Sequence, residues 1–157
     1  MKPDTKLDRA DFKAAGLLSA LHLLHRASQC ADEWFALSIG QSDLTPRQFA
    51  VLKAIAASHD PSQTDLVNLT GIDRSTMADI IRRLLARGLV QRRRTRRDAR
   101  MYSVKMTEKG KSALDAAEPA VRATDERILA AMAPPQRETF VKALTSIVDA
   151  VEPARRP

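Results

Sequence analysis

Residues 62–111 read SQTDLVNLTGIDRSTMADIIRRLLARGLVQRRRTRRDARMYSVKMTEKGK, and two short helical patterns in this stretch meet at Thr70-Gly71-Ile72. The second pattern leads into two short extended segments, Leu89–Arg92 and Met101–Val104, which an arginine-rich turn joins. Glycine is the usual residue where a helix ends in the left-handed conformation, as expected at Gly71. Two helices joined by a short turn and followed by a two-stranded ribbon predict a winged helix-turn-helix.

The second helical pattern has one apolar side and one polar side. Its expected N-cap is Asp73, and its apolar side comprises Met77, Ile80, Ile81, Leu84 and Leu85. The opposite side comprises Arg74, Ser75, Thr76, Asp79, Arg82 and Arg83. Because hydroxyls and guanidinium groups hydrogen-bond to base edges and phosphates, this side is suited to the major groove of DNA. For Ser75 and Thr76, a role in capping the helix is the alternative interpretation.

The positive charge of the chain is concentrated in the same region. Residues 61–111 hold 13 Lys and Arg against 5 Asp and Glu, whereas residues 1–60 hold 7 against 7 and residues 112–157 hold 6 against 7. The formal net charge of +7 therefore arises in one third of the chain. A local basic surface is typical of a protein that neutralises phosphates and gains affinity from counterion release. For the arginine run itself, the alternative is a solvated hairpin that binds no anion.

The segments that flank this region predict long helices. Apolar residues recur at three- and four-residue spacings across residues 9–39, which predicts one long helix. Thr107 is the expected N-cap of another helix that continues to about Met132 and that Pro119 kinks rather than ends. A last helix is expected to start at Pro134. Helices of this length exceed what one small core needs, so we expect them to contact a partner subunit.

We interpret the chain as mainly α with a small β-wing (α+β), folded as a single domain over residues 1–157. Its length is sufficient to bury a core without disulfides. Residues 45–111 form the expected winged helix-turn-helix lobe, which begins with a capping pattern at Thr45-Pro46. Residues 9–44 and 112–157 form the expected helical dimerisation module.

Several classes of protein are excluded by what the sequence lacks. No nucleophile–base pair, glycine-rich phosphate loop or metal-ligand spacing occurs, so we expect no enzymatic activity, no cofactor and no metal site. No apolar run approaches the roughly 20 residues of a membrane span, and the polar N-terminus does not resemble a signal peptide. We therefore expect a cytoplasmic protein. The single cysteine, Cys30, has acidic neighbours that disfavour a reactive thiolate, which argues against redox sensing.

Nearly the whole chain, in the order of its elements, resembles the MarR family of bacterial transcriptional regulators. The specific part of the resemblance runs from LTPRQFAVLKAI through TGIDRSTMADIIRRLLARGLVQRR to RDARMYSVKMTEKGK. The family's wing pattern of aspartate, one residue and arginine is matched by Asp98-Ala99-Arg100, and its following threonine and glycine by Thr107 and Gly110.

The resemblance implies a homodimer on a pseudo-palindromic operator in double-stranded DNA, with each recognition helix in a major groove and each wing at the flanking minor groove. Asp98 would anchor the wing by pairing with an arginine, while Arg97 or Arg100 enters the minor groove, where negative potential favours an inserted cation. The expected DNA-binding residues are Arg74, Ser75, Thr76, Asp79, Arg82, Arg83, Arg94, Arg96, Arg97, Asp98 and Arg100.

The resemblance also implies a small-molecule effector, since many members of the family respond to aromatic acids or their thioesters. His22 and Arg26 are four residues apart and therefore share one side of the first helix, which partly lines the effector pocket in the family. Arg26 could hold a carboxylate or phosphate bidentately. An ion pair between Arg26 and an acidic residue of another helix is the alternative.

The sequence therefore predicts a ligand-responsive, homodimeric repressor that binds specific DNA. One alternative is an architectural or non-specific nucleic-acid-binding protein without an effector, which would show little preference for one DNA sequence. A third possibility, that the basic lobe binds another protein, predicts weak dependence of binding on salt.

Overall fold

The structure is a computed structural model that describes residues 9–16, 18–40, 44–94 and 102–151. Within these ranges the chain forms seven helices and one two-stranded antiparallel sheet. The elements are α1 (Arg9–Ala14), α2 (Ala20–Ser38), α3 (Pro46–Ala57), α4 (Gln63–Thr70), α5 (Arg74–Ala86), β1 (Val90–Arg94), β2 (Tyr102–Met106), α6 (Glu108–Ala130) and α7 (Pro134–Val151). The predicted mainly α fold with a small β-wing is confirmed.

Short-range hydrogen bonds fix the starts of the central helices. The Thr45 hydroxyl accepts the Gln48 N–H at 3.2 Å, and the Gln48 side chain accepts the Thr45 N–H at 3.1 Å, so a full capping box opens α3. Ser62 and Asp65 form the same reciprocal pair at α4. Gly71 ends α4 in the left-handed conformation with φ 67°. The predicted start of α3 and the predicted end of α4 are confirmed.

The prediction of one long helix over residues 9–39 was wrong. The helix is interrupted between α1 and α2, where Gly16 takes a left-handed φ of 71°. Ser19 then caps α2, because its hydroxyl accepts the His22 N–H at 3.2 Å. A left-handed residue cannot continue a right-handed helix, so the backbone turns at Gly16 although the apolar spacing continues beyond it.

The two strands form the base of the wing. Val90 pairs with Met106 and Arg94 with Tyr102, so each strand ends two residues later than the sequence predicted. A backbone hydrogen bond of 2.8 Å from Val104 to the Pro61 carbonyl, with a bridge between Ser62 and Ser103, ties β2 to the loop between α3 and α4. The wing base is therefore held against the helix-turn-helix.

One apolar core joins α3, α4, α5, the strands and the first half of α6. Its fully buried members include Leu52, Leu66, Met77, Ile81 and Leu84. The second half of α6 packs against α2, and there the Arg127 guanidinium lies 5.0 Å from the centre of the Trp34 ring, a cation–π contact.

The described helices differ from membrane spans in their hydropathy. None of them combines the length and the apolar content that crossing a bilayer would require.

Candidate nucleic-acid interface

Helix α5 presents a polar side to solvent because its other side is anchored in the core. Met77, Ile80, Ile81 and Leu84 are buried, and Leu85 is half-buried at the edge. On the opposite side, Arg74, Ser75, Arg82 and Arg83 are exposed, whereas Thr76 and Asp79 are half-buried. The six polar residues that the sequence placed on this side are therefore brought together along one helix.

Asp73 fixes the first turn of α5. Its carboxylate accepts the Thr76 N–H at 2.9 Å. Hydrogen bonds from the side chain and backbone of Thr76 hold the pKa of Asp73 below its ordinary value of 3.8. Because Asp73 caps the helix, Ser75 is not needed for that purpose, and it lies exposed as the second residue of the helix.

Asp79 links two arginines on the exposed side of α5. Arg82 Nη2 lies 2.5 Å from Asp79 Oδ1, and Arg83 Nε lies 2.7 Å from Asp79 Oδ2. The hydrogen bond from Arg82, together with the charge of Arg83, lowers the pKa of Asp79. The carboxylate therefore stays ionised at neutral pH, and it holds both guanidinium groups by one edge.

Strand β1 adds a second cationic surface next to α5. Val90 points into the core, and Arg92, Arg93 and Arg94 are all exposed. Arg94 belongs to the predicted site, whereas Arg92 and Arg93 were not predicted. The sequence could have indicated both residues, because they precede Arg94 in the same arginine run. The other candidate residues of the wing, Arg96, Arg97, Asp98 and Arg100, lie outside the described residues.

The end of α5 and the start of α6 are joined by side chains from α6. The Thr107 hydroxyl accepts the Gly110 N–H at 3.0 Å and donates to the Gly88 carbonyl at 2.7 Å. Lys109 Nζ donates to the Arg87 carbonyl at 2.9 Å. The carbonyl groups of Arg87 and Gly88, the two residues that directly follow α5, thus accept hydrogen bonds from residues at the start of α6. We call this set of contacts the α5–α6 joint.

The two candidate effector residues lie on α2, outside the basic lobe. His22 and Arg26 are both exposed, one helical turn apart. Arg26 Nη1 donates to the Gln29 side-chain oxygen at 3.2 Å. Because this partner is a neutral amide on the same helix, the described residues do not show the ion pair to another helix that was the alternative interpretation.

Two surface grooves lie elsewhere, at the loop between α3 and α4. One, of about 180 Å³, is lined by Ser58, His59, Asp60 and Lys105 among others, and the second, of about 430 Å³, continues along α4. Neither groove includes His22 or Arg26. Across the part of the chain that the structure describes, no three His, Cys, Asp or Glu side chains are grouped as metal ligands would be.

Comparisons with known proteins agree with this geometry. The family model described as MarR family matches residues 42–101. The chain is 32% identical to the HTH-type transcriptional repressor NicR of Pseudomonas putida over 133 residues, which cover 85% of this chain and 84% of NicR.

Solved structures show the same architecture. BpsR of Bordetella bronchiseptica, whose DNA binding is regulated by 6-hydroxynicotinic acid, matches with a TM-score of 0.79 and 30% identity, over 85% of this chain and 95% of BpsR. The transcriptional repressor CouR, bound to a 23-mer DNA duplex, matches with a TM-score of 0.76 and 28% identity, over 87% of this chain and 95% of CouR.

Proposed function

Because this chain belongs to the MarR family of winged-helix transcriptional regulators, we propose that it is a homodimeric repressor that binds a pseudo-palindromic operator and leaves it when a small aromatic acid binds. The observation that carries the proposal is the exposed side of α5, which presents hydroxyls and arginines next to the exposed arginines of β1.

We assign the contacts to DNA by their chemistry. Arg74, Ser75 and Thr76 enter the major groove with the first turn of α5, where the N-terminal residues of a recognition helix meet base edges. Arg82 and Arg83 follow further along the same side. The wing residues Arg94, Arg96, Arg97 and Arg100 contact the backbone and the minor groove, with Asp98 as the anchor of the wing.

We propose that residues 9–44 and 112–157 form the dimerisation module and residues 45–111 the DNA-binding lobe. Support comes from apolar side chains that the single chain leaves open to solvent. Leu21 on α2 is 69% exposed. On α7, Phe140, Val141, Leu144, Ile147 and Val148 share one side, and Val148 is 54% exposed. A helix with such a side normally buries it against another element, here the same helices of a second copy.

This arrangement predicts that Ile147→Glu with Val148→Glu converts a dimer into a monomer, because each dimer would bury four new carboxylates without partners. Light scattering should give twice the 17.3 kDa chain mass for the wild type and the single chain mass for the variant. Ser146→Glu, on the polar side of α7, is the matched control and should remain dimeric. A variant that keeps the wild-type mass would remove α7 from the dimer interface.

We propose that the effector is a small aromatic carboxylic acid and that Arg26 binds its carboxylate, with His22 beside it. Arg26 is exposed, and the guanidinium donors that it does not use for Gln29 remain for an anion. The choice of compounds follows BpsR, so 6-hydroxynicotinic acid is the first to test, followed by benzoic and phenolic acids and their CoA thioesters.

Release would be a population shift between two dimer shapes. The two recognition helices must lie about 34 Å apart to enter successive major grooves. An effector that binds better to a dimer with another spacing lowers the affinity for the operator. By linkage, the operator lowers the affinity for the effector by the same factor. The α5–α6 joint supports this route, because a movement of α6 would carry the end of α5 with it.

The test is fluorescence anisotropy with the DNA that flanks the gene of this protein and with a scrambled duplex. We expect at least about a thousandfold preference for the flanking DNA, which one aromatic acid should abolish. Arg26→Ala should keep the DNA affinity and lose most of the response to that acid. Tight binding to both duplexes, with no response to any compound, would favour an architectural protein instead.

A further inference from the structure

Asp79 is a negative charge on the side of α5 that is proposed to face DNA. Each of its carboxylate oxygens contacts a different guanidinium, that of Arg82 at 2.5 Å and that of Arg83 at 2.7 Å. We propose that Asp79 is a positioning residue for selective DNA binding, because it withholds Arg82 and Arg83 from the phosphates of non-cognate DNA. This inference rests on the proposed function and specifies how the same surface discriminates between sequences.

Stability of the fold does not account for this arrangement. The side chains of Arg82 and Arg83 are 70% and 62% exposed, and ion pairs of this exposure contribute little to folding. A carboxylate on this surface also repels the phosphates of every duplex, so by itself it weakens binding to any DNA. Its effect on binding must therefore come through the arginines that it holds.

Binding to non-cognate DNA depends on phosphate contacts. An arginine that moves to a phosphate increases the binding affinity because counterions are released from the DNA, and this release is the main source of sequence-independent affinity. With Asp79 in place, Arg82 and Arg83 must first leave their carboxylate partner, or else bring that carboxylate close to the phosphate. Loss of the ion pair and repulsion between carboxylate and phosphate both reduce the affinity gained from the phosphate contact, so Asp79 weakens the non-specific complex.

Binding to a cognate sequence is affected less. A guanidinium has five N–H donors, so an arginine that keeps one edge on Asp79 still presents donors to a base. The usual target of such donors is the N7 and O6 edge of guanine in the major groove. The carboxylate also fixes the direction of the guanidinium before DNA arrives, which lowers the cost of ordering it on binding. The depressed pKa of Asp79 keeps this charge present throughout the neutral pH range.

The experiment begins with selection of a cognate duplex from random DNA by the wild-type protein. Affinities for that duplex and for a scrambled one are then measured at several salt concentrations for Asp79→Asn, Asp79→Glu and Asp125→Asn. Asp125 is exposed on α6, so its substitution removes the same charge at a distance from α5. Thermal unfolding of each variant checks that the fold is retained.

For Asp79→Asn we expect affinity for scrambled DNA to rise about 3- to 10-fold and the preference for the selected duplex to fall by about the same factor. The salt slope with scrambled DNA should steepen by about one unit for each additional phosphate that is neutralised. Asp79→Glu should restore most of the preference, because a glutamate can still reach residues three and four positions on. Asp125→Asn should resemble the wild type.

Other results would overturn the inference. If Asp79→Asn lowers affinity for the selected duplex and leaves scrambled DNA unchanged, Asp79 contacts a base directly. If Asp79→Asn and Asp125→Asn behave alike, only total charge matters. A wild-type protein that enriches no sequence from random DNA would instead refute the proposed function, and the two failures are therefore distinguishable.

Discussion

Gly110→Ala is expected to destabilise the protein by about 3 kcal/mol or more, although alanine is ordinarily the better residue within a helix. A Cβ atom at this position would overlap the Leu89 carbonyl oxygen and would lie 2.9 Å from the Leu89 carbonyl carbon and 2.8 Å from Met106 Cγ. The Leu89 carbonyl also accepts the backbone N–H of Thr107 at 3.1 Å, so it cannot move aside without breaking that hydrogen bond. At matched protein concentration, the midpoint of thermal unfolding should fall by about 6–12 °C.

Gly40→Ala is the matched control for this substitution, because it separates lack of space from backbone strain. Gly40 has a left-handed φ of 63°, and nothing lies within 4 Å of a Cβ built on it. Its substitution should cost only about 1–2 kcal/mol, the cost of placing an L-residue in that conformation. If Gly110→Ala proved no more destabilising than Gly40→Ala, α6 would not pack as closely on the Leu89 carbonyl as the structure shows.

The predicted helix starts were reliable because capping is a local property. Thr45, Asp73 and Thr107 each bond to a backbone N–H three residues later, so the four residues of each cap contain the whole interaction. The interruption at Gly16 was missed for the opposite reason. Apolar spacing continues across it and indicates only which side chains share a face, not whether the backbone stays helical between them.

Only the part of the candidate site that lies on a single helix could be predicted from the sequence. The exposed side of α5 follows from the 3.6-residue period once the buried side is known. The pairing of Asp79 with both Arg82 and Arg83 does not follow, since spacing permits these contacts and side-chain directions decide them. The proposed role of His22 and Arg26 in effector binding is less predictable still. A pocket between helices depends on tertiary and subunit packing, and periodicity along one helix carries no information about either.

The largest expected effect on DNA binding is that of Arg82→Ala with Arg94→Ala, which should lower operator affinity by about a thousandfold. Both side chains are exposed, one on α5 and one at the end of β1, and the substitutions leave the buried core intact. In a homodimer the double variant removes four cationic side chains from the interface, each of which contributes about 1 kcal/mol or more. The salt slope of operator binding should flatten by about one unit for each phosphate that the variant no longer neutralises. Anisotropy titrations at several salt concentrations measure both quantities.

The expected decrease in operator affinity must arise from where Arg82 and Arg94 lie, and not merely from the lower net charge of the variant. Arg122→Ala with Lys142→Ala removes the same two charges from exposed positions on α6 and α7, so it should change operator affinity by less than about threefold. Light scattering should show that both double variants keep the oligomeric state of the wild type. If the two variants were weakened equally, the protein would be attracted to DNA by its overall charge, and neither α5 nor the wing would touch the operator. If only Arg82→Ala with Arg94→Ala bound more weakly and with a flatter salt slope, the interaction would be local to the surface formed by α5 and β1.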